Sequence, residues 1–177
     1  MTNKLLLSAS AATALLLAGC ATTNTMSSEP IGTAMMMSST GAQLGTATLL
    51  ENGNSLSVSV EVAGLPAGSH GFHLHTTGKC EAPDFQSAGG HLNPANKSHG
   101  IYSPDGAHLG DLPNLTVSEN GTAAQTFSLV GNNVNSEAAI FDADGTAVMI
   151  HAGPDDYRTD PAGDAGSRIA CGVLRRT

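Results

Sequence analysis

The sequence predicts an all-β domain built as an antiparallel sandwich or barrel, and three observations lead to that class. Residues 55–62, SLSVSVEV, alternate strictly between apolar and polar side chains, as a half-buried strand does. Asn-Gly or Asp-Gly pairs, which accept positive φ, separate other short apolar segments at 52–53, 120–121 and 144–145. Aromatic residues make up 3% of the chain and glycine contributes 21 residues, which favours strands and turns over a helical bundle.

The remaining strands follow from short apolar segments bounded by turn residues. Nine candidate segments lie at residues 32–38, 45–50, 55–62, 70–75, 114–118, 122–130, 138–141, 146–151 and 168–174, from which we predict about eight strands and no helix. Three hairpins turn at residues 51–54, 119–121 and 142–145. In Met35–Met37 we expect alternating core and surface positions rather than a copper-binding run of thioethers.

Two long segments, residues 76–113 and 152–167, do not fit this succession of strands. Both are rich in Gly, Pro, Asn and Asp and have no hydrophobic periodicity. Loops of that length in a compact domain are usually functional or disordered. Histidines are concentrated in and beside the first of them, so we predict that both loops are functional.

The N-terminal segment is typical of an export signal. Lys4 gives a positive start, residues 5–17 are apolar or small, and the stretch is too short to span a membrane comfortably. It closes with LLAGC, which resembles the lipobox of bacterial lipoproteins, where the signal is cut before a cysteine whose thiol is lipidated. A plain secretory signal is the alternative. The predicted organisation is a signal peptide at 1–19, a lipidated Cys20 with a flexible tether at 20–31, and one domain at 32–177.

The two remaining cysteines fit the same interpretation. If Cys20 carries lipid, Cys80 and Cys171 are left in an oxidising setting, and one disulfide accounts for both. Such a bridge closes a loop of about 91 residues, which in the chain-entropy model contributes roughly 4 to 5 kcal/mol. The chain has a formal charge of -8, which becomes -9 when residues 1–19 and their single lysine are removed. We expect no nucleic-acid partner.

Four residues of the first long loop have the composition of a zinc site. His91, His99, His108 and Asp111 are separated by short intervals, so one loop can wrap a tetrahedral ion with three imidazoles and one carboxylate. Imidazole and carboxylate without thiolate suit zinc and Cu(II). Binding of zinc would order the loop that wraps it.

Three further histidines indicate a second site. His73 and His75 alternate on one strand and therefore point to the same face, while Leu74 points to the other. A barrel can bring His151 beside them from another strand, and several imidazoles on a rigid sheet favour the tetragonal geometry of Cu(II). Each histidine alone would more often be an ordinary core or surface residue, but the clustering argues against that alternative.

Five segments resemble, in order and spacing, the signature segments of copper/zinc superoxide dismutases. They are GFHLH at 71–75, AGGHLNP at 88–94, GAHLGDLPNL at 106–115, MIHAGPDD at 149–156 and GDAGSRIACGV at 163–173. The resemblance covers residues 32–174 and implies an eight-stranded antiparallel Greek-key β-barrel with two long functional loops.

The resemblance also assigns roles to individual residues. It implies that Asp155 links a copper ligand to a zinc ligand by hydrogen bonds, that Arg168 docks the anion beside copper, and that Cys80 and Cys171 form the family's disulfide. His70 has no partner in this scheme, and we interpret it as a loop histidine. The implied ligands are His73, His75, His91 and His151 for copper, and His91, His99, His108 and Asp111 for zinc, with His91 bridging both as imidazolate.

The implied activity is dismutation of superoxide to dioxygen and hydrogen peroxide by one copper per chain that is alternately reduced and reoxidised. The one zinc per chain would hold and polarise the shared imidazole and exchange no electrons, because zinc cannot change its oxidation state. His91 would serve as both ligand and proton store. A non-catalytic copper/zinc-binding envelope lipoprotein is the alternative, but a storage site needs no anion dock such as Arg168. A zinc hydrolase is disfavoured because no general base is evident beside an open zinc position. The chain is a monomer or a homodimer.

Departures from the family pattern affect the expected rate of association with superoxide. The second long loop holds Asp155, Asp156, Asp160 and Asp164 against Arg158 alone, where better-known relatives carry lysine. Besides Arg168, Lys79 or Lys97 would have to supply the local positive field. We therefore expect a rate of association with superoxide below the family's best. Ala162 stands where many relatives have a channel threonine, which predicts a less selective rim.

The predicted location is the cell envelope, with Cys20 anchoring the chain to the membrane and the domain in the periplasm or at the cell surface. Ala21 follows the cysteine, where an Asp often retains lipoproteins in the inner membrane. By that resemblance the outer membrane is the expected anchor.

Overall fold

A computed structural model of the chain describes residues 28–129, 131 and 135–177. The predicted signal peptide, lipidated Cys20 and most of the tether lie outside these residues. No helix of the described part is long and apolar enough to cross a bilayer. The elements are β1 Glu29–Ser38, β2 Gln43–Asn52, β3 Ser55–Ala63, β4 Gly68–His75, β5 Asp111–Val117, β6 Thr122–Ser128, α1 Ser136–Ile140, β7 Ala147–His151, β8 Arg168–Val173 and β9 Arg175–Arg176.

The strands form one antiparallel sheet that curls into a nearly closed barrel. Its order is β5-β4-β7-β8-β1-β2-β3-β6, and the two-residue β9 pairs with β1. The end strands β5 and β6 lie side by side, and the described residues show no backbone ladder between them. Because β3 to β4 and β6 to β7 both cross to non-neighbouring positions, the connections are of Greek-key type. The predicted eight-stranded all-β barrel is confirmed.

The barrel interior follows the alternation that was visible in the sequence. In β3 the side chains of Leu56, Val58, Val60 and Val62 are buried, while those between them face outward. Full burial of a side chain of this size stabilises the fold by about 1.5–3 kcal/mol each. The segment Met35–Met37 alternates as predicted, with Met36 fully buried and Met35 56% exposed.

Strands β4 and β7 differ from the others because both of their faces are covered. Phe72 and Leu74 point into the barrel, whereas His73 and His75 point outward and are nevertheless completely buried. The two long loops, now bounded as residues 76–110 and 152–167, account for this burial because they lie over the outer face of these strands. A sheltered site for polar chemistry is thus formed outside the barrel wall.

A second, smaller core fixes the first long loop against that outer face. It consists of Phe85, Ala88, Ala147, Met149 and Cys171, with Cys80 packed against it. The disulfide between Cys80 and Cys171 is formed, as predicted, and spans 91 residues. It ties the loop after β4 directly to β8.

The structure corrects the predicted third hairpin. Residues 138–141 were expected as a strand, and no helix was expected, but α1 occupies Ser136–Ile140 and is followed by a turn. The alanines in this segment are good helix formers, and Ile140 is fully buried in the barrel core. A four-residue apolar run does not distinguish a strand from one buried helical turn.

Several strand boundaries also differ, and two of these differences affect the domain limit and the site. Strand β1 begins at Glu29 rather than residue 32, so the last residues assigned to the tether belong to the sheet, and Ile31 packs against the core. Strand β5 begins at Asp111 rather than residue 114, which places this predicted zinc ligand on the barrel itself.

Candidate metal centre

Two groups of buried side chains meet beneath the long loops, and they share one histidine. Within each group the nearest potential ligand atoms all lie within 4.8 Å of one another. Strands β4 and β7 supply three members of the first group, and the first long loop with the start of β5 supplies the second. The groups are His73, His75, His91 and His151, and His91, His99, His108 and Asp111.

Hydrogen bonds fix which nitrogen each histidine of the first group presents. Nδ1 of His75 lies 2.9 Å from the Gly89 carbonyl, and Nδ1 of His151 lies 3.0 Å from the Gly166 carbonyl. Since a carbonyl oxygen can only accept, these nitrogens donate, and each neutral ring keeps its lone pair at Nε2. The backbone of the two loops therefore selects the tautomers.

Among the residues that the structure describes, those lone pairs have no hydrogen-bond partner. Nε2 of His75, His91 and His151 and Nδ1 of His73 are buried nitrogens without a donor to satisfy them. An unpaired buried polar atom is costly, and four of them in one small group require a common explanation. A copper ion provides one, because imidazole nitrogens suit copper and four of them form a tetragonal set.

The second group fits a cation for a related reason. Nε2 of His99 donates to Oδ1 of Asp155 at 3.0 Å, and Nε2 of His108 donates to the Lys97 carbonyl at 3.1 Å. Nδ1 of each ring faces Oδ1 of Asp111, which lies 3.1 Å away in both cases. Either a proton or a metal ion is needed between each nitrogen and the carboxylate, and three imidazoles with one carboxylate suit zinc.

His91 belongs to both groups through its two ring nitrogens. Nδ1 lies 2.8 Å from Oδ1 of Asp111, on the zinc side, and Nε2 is the unpartnered nitrogen on the copper side. Its ring centroid is 4.0 Å from that of His73 and 5.1 Å from that of His99. This position is compatible with the bridging role that the resemblance implies for His91.

Asp155 connects the groups a second time. Oδ2 accepts from Nε2 of His73 at 2.7 Å and Oδ1 accepts from Nε2 of His99 at 3.0 Å. The carboxylate is buried and also receives the backbone N–H of Tyr157. It therefore contacts one residue of each group, and these hydrogen bonds orient both rings.

Burial keeps the first group neutral. Burial lowers the pKa of His73 to about 3, although the hydrogen bond to Asp155 opposes the change. Burial likewise lowers the pKa of His75 to about 2 and that of His151 to about 4. It lowers the pKa of His91 too, against the raising effect of Asp111. Neutral imidazoles are the form that binds metal.

Carboxylates dominate the second group. Burial alone would lower the pKa of His99, but hydrogen bonds to Asp111 and Asp155 outweigh it and raise that pKa to about 9. Burial would raise the pKa of both carboxyl groups, yet their histidine partners hold each well below its usual range. Both carboxylates are thus ionised, and Asp111 is available as an anionic ligand.

A cavity of about 350 Å³ opens beside the first group. His75, His91 and His151 line it together with Arg168, Lys97 and Ala162, and it also contacts Asp160. The Arg168 guanidinium is fixed at this position because it donates to the carbonyls of Phe85 at 2.7 Å and Gly89 at 2.6 Å. Of the two lysines considered from the sequence, only Lys97 lines this cavity.

The prediction for His70 was wrong. It was interpreted as a loop histidine, but it lies on β4 and is 3% exposed. Its Nδ1 lies 2.8 Å from the backbone oxygen of His151 and its Nε2 lies 2.9 Å from that of Pro66. The ring cross-links the end of β7 to the turn before β4, so it has a structural role next to a member of the first group.

Sequence reasoning identified every side chain of both groups, but it missed the groups that orient them. The carbonyls of Gly89, Gly166 and Lys97 each fix a ring, and any residue can supply a carbonyl. Gly163 was also missed. It has φ +67°, and a Cβ there would lie 1.9 Å from Oδ1 of Asp155, so only glycine fits against this carboxylate.

The fold and the site together define a Greek-key barrel with a binuclear metal centre on its outer wall. The family model for copper/zinc superoxide dismutase matches residues 43–174. Superoxide dismutase [Cu-Zn] 1 of Aquifex aeolicus is 42% identical over 76% of this chain and 82% of its own length. The Cu-Zn superoxide dismutase of Escherichia coli is 38% identical over 76% of this chain and 80% of its own.

Solved structures agree with these relatives. A superoxide dismutase-like protein from Bacillus subtilis matches with a TM-score of 0.75 and 37% identity, over 81% of this chain and 97% of that one. The Cu/Zn superoxide dismutase from Brucella abortus matches with a TM-score of 0.67 and 30% identity, over 81% and 98%. The chain belongs to the copper/zinc superoxide dismutase family, and its two buried groups match the copper and zinc sites of that family.

Proposed function

We propose that this chain dismutates superoxide in a bacterial cell envelope, to which it is anchored through a lipidated Cys20. One observation carries the catalytic part of the proposal. Four buried imidazole nitrogens that have no hydrogen-bond partner among the described residues converge beside a cavity that Arg168 lines. A redox-active cation at those nitrogens and an anion at the guanidinium would be neighbours.

The reaction converts two superoxide anions and two protons into dioxygen and hydrogen peroxide. When bound, copper supplies the one-electron exchange with each superoxide in turn, and zinc polarises the shared imidazole without changing its own oxidation state. His73, His75 and His151 serve as copper ligands and His99, His108 and Asp111 as zinc ligands. The protein's own tasks are to attract the anion, hold it in place and supply a proton.

Arg168 performs the first two tasks. The guanidinium is always charged and planar, so it attracts superoxide without competing for the metal. The carbonyls of Phe85 and Gly89 hold it beside the cavity, which limits the orientational freedom lost when the anion docks. A metal-storage protein would have no need for a fixed cation here, which disfavours the non-catalytic alternative.

His91 performs the third task. Its Nε2 faces the copper group while Nδ1 remains directed at Asp111, so the ring can take up a proton at Nε2 without losing its place. His91 also lines the cavity where the anion would dock, so the ring is positioned to deliver that proton to the peroxide product.

The proposed location in the cell envelope rests on different observations from those that support catalysis. A disulfide such as Cys80–Cys171 is typical of exported proteins, and LLAGC with Cys20 resembles a lipobox. The anchor is tested by expressing Cys20→Ser in a bacterial host. We expect the parent chain in the membrane fraction and the variant in the soluble envelope fraction. Equal distribution of both would contradict the anchor and leave a plain secretory signal.

Catalysis is tested by comparing the chain loaded with copper and zinc against the chain loaded with zinc alone. We expect rapid superoxide decay only with copper present, at a rate that free copper released into the buffer does not explain. Tight binding of both metals without accelerated decay would support the metal-binding lipoprotein instead.

A further inference from the structure

Strand β5 contains an irregularity in its pairing with β4, close in sequence to Asp111. His70 pairs with Leu115 and Phe72 pairs with Leu112, so Gly71 on β4 faces two residues on β5, Pro113 and Asn114. This is a β-bulge, a feature that interrupts the ladder and redirects side chains. The backbone N–H of Gly71 leaves the ladder and donates instead to the carbonyl of Gly153 at 2.7 Å, at the start of the second long loop.

The bulge directs Asn114 into the same loop. Its side-chain Nδ2 donates to the carbonyl of Asp155 at 2.9 Å, and its Oδ1 accepts the backbone N–H of Asp155 at 2.8 Å. The backbone N–H of Asn114 donates to the hydroxyl oxygen of Tyr157 at 2.8 Å. One half-buried residue therefore makes three hydrogen bonds to residues 155–157, and two of them hold both sides of a single backbone position.

That position carries the carboxylate that orients both metal groups. A displacement of the Asp155 backbone would move Oδ2 away from His73 and Oδ1 away from His99 together. Asn114 is three residues beyond Asp111 on the same strand, so β5 carries a predicted zinc ligand and the support of the second loop as one rigid unit.

We propose that Asn114 is a positioning residue for the dismutase centre, acting through Asp155 on one copper ligand and one zinc ligand at the same time. The inference rests on the metal assignment proposed above. Only an amide fits the role, because it must donate to the Asp155 carbonyl and accept from the Asp155 N–H. Aspartate in its place could only accept, and alanine could do neither.

The proposal is tested on the full chain with Asn114→Ala, and Thr116→Ala serves as the matched control. Thr116 is exposed on the same strand, two residues further on. Zinc affinity is measured by competition with a chromogenic chelator, and the bound Cu(II) is examined by EPR. For Asn114→Ala we expect zinc affinity to fall roughly 10- to 100-fold, the range for loss of a partner that orients metal ligands. We also expect a changed Cu(II) spectrum, whereas Thr116→Ala should leave both unchanged.

Two further variants separate positioning from general stability. Because Asn114 acts through Asp155, adding Asn114→Ala to Asp155→Ala should change neither zinc affinity nor the Cu(II) spectrum any further. Asn114→Asp keeps the acceptor and should give an intermediate effect, which provides a readout if the alanine variant does not fold.

Failure of this inference is distinguishable from failure of the proposed function. Normal zinc affinity and an unchanged Cu(II) spectrum in Asn114→Ala, or a full additional loss in the Asp155→Ala background, would overturn the positioning role. If the parent chain itself bound neither metal, the metal assignment would fall and the inference with it.

Discussion

Each imidazole of the first metal group uses its second ring nitrogen to hold its orientation. His75 and His151 donate to backbone carbonyls of the loops, and His73 donates to Asp155. The remaining lone pairs are thereby aimed inward before any ion binds, so little rearrangement is required of the side chains. Preorganisation of this kind has a cost in the metal-free chain, because four buried nitrogens have no partner in the part of the chain that the structure describes.

Burial of these imidazoles predicts that the metal-free chain loses stability in acid. The pKa values of His73, His75 and His151 are about 3, 2 and 4 in the folded chain, against 6.5 ordinarily, because of burial. Between those values and 6.5 the unfolded chain binds more protons than the folded one. The contribution of these three groups to the free energy of unfolding is therefore complete above pH 6.5 and declines as the pH falls toward 4. His99, with its raised pKa of about 9, acts oppositely and loses its contribution as the pH rises toward 9.

Three lowered pKa values outweigh one raised value on the acid side. We expect the urea midpoint of the metal-free chain to fall between pH 7 and pH 5, and the fall to be smaller in His151→Gln, which removes one of the three groups. A midpoint that is constant or rises toward pH 5 would show that these imidazoles are not held neutral by burial.

Gly163 provides a second test at the scale of a single residue. A Cβ at Gly163 would lie 1.9 Å from Oδ1 of Asp155 and 2.7 Å from Nε2 of His99, whereas a Cβ at Gly166 would meet nothing within 4 Å. Both glycines have positive φ, so Gly163→Ala and Gly166→Ala carry a similar backbone cost. We expect a roughly 10- to 100-fold loss of zinc affinity in the first only. Equal zinc affinities would mean that Asp155 can move without disturbing the site.

At the scale of elements, the disulfide and the small outer core hold the first loop against β8. Cys171 lies on β8 and Cys80 lies at the start of the loop that supplies both acceptors of Arg168, the carbonyls of Phe85 and Gly89. The covalent link therefore restrains both the fold and the segment that positions Arg168, the proposed anion-docking residue.

Removal of this disulfide should lower the stability of the chain substantially. For the double variant Cys80→Ser/Cys171→Ser we expect the free energy of unfolding of the metal-free chain to fall by about 4 kcal/mol, from the loop-closure entropy of a 91-residue loop. Urea titration of both chains measures the difference. A loss below about 1 kcal/mol would indicate that the outer core alone fixes the loop.

Element by element, the sequence was most informative where side chains carry the signal. Alternation in β3 and the His73–His75 pair predicted both a strand and a face, because a period of two has few alternatives. The segment 138–141 was misassigned because four apolar residues fit a buried helical turn equally well. The bulge at Asn114 and the carbonyls that orient the rings could not be predicted, since they depend on strand register and on backbone groups that every residue possesses.

At the scale of the whole molecule, an acidic protein must attract an anion. The chain has a formal charge of -8, yet Arg168 and Lys97 both line the cavity, with Asp160 opposing them. Charges closer than about 10 Å act with little screening at 0.1 M salt, whereas more distant ones are largely screened. The local cations should therefore govern approach, and the acidic surface should reduce their effect.

This balance predicts a rate constant for superoxide decay that falls as ionic strength rises from 10 to 150 mM. Lys97→Ala should lower the rate at low salt and flatten the dependence, while Lys79→Ala, which removes an exposed lysine that does not line the cavity, should do neither. A rate that increases with salt would show that repulsion by the acidic surface dominates.

The most direct test of the central claim is pulse radiolysis of the chain loaded with copper and zinc, beside Arg168→Ala and the charge-matched control Arg175→Ala. Superoxide dismutase is itself among the enzymes that define the diffusional ceiling of about 10⁸–10⁹ M⁻¹s⁻¹, and we expect a rate constant near this ceiling but below the family's best. The rate should be clearly reduced in Arg168→Ala and unchanged in Arg175→Ala. Decay no faster than free copper explains, and equal in all three proteins, would contradict dismutation at this site.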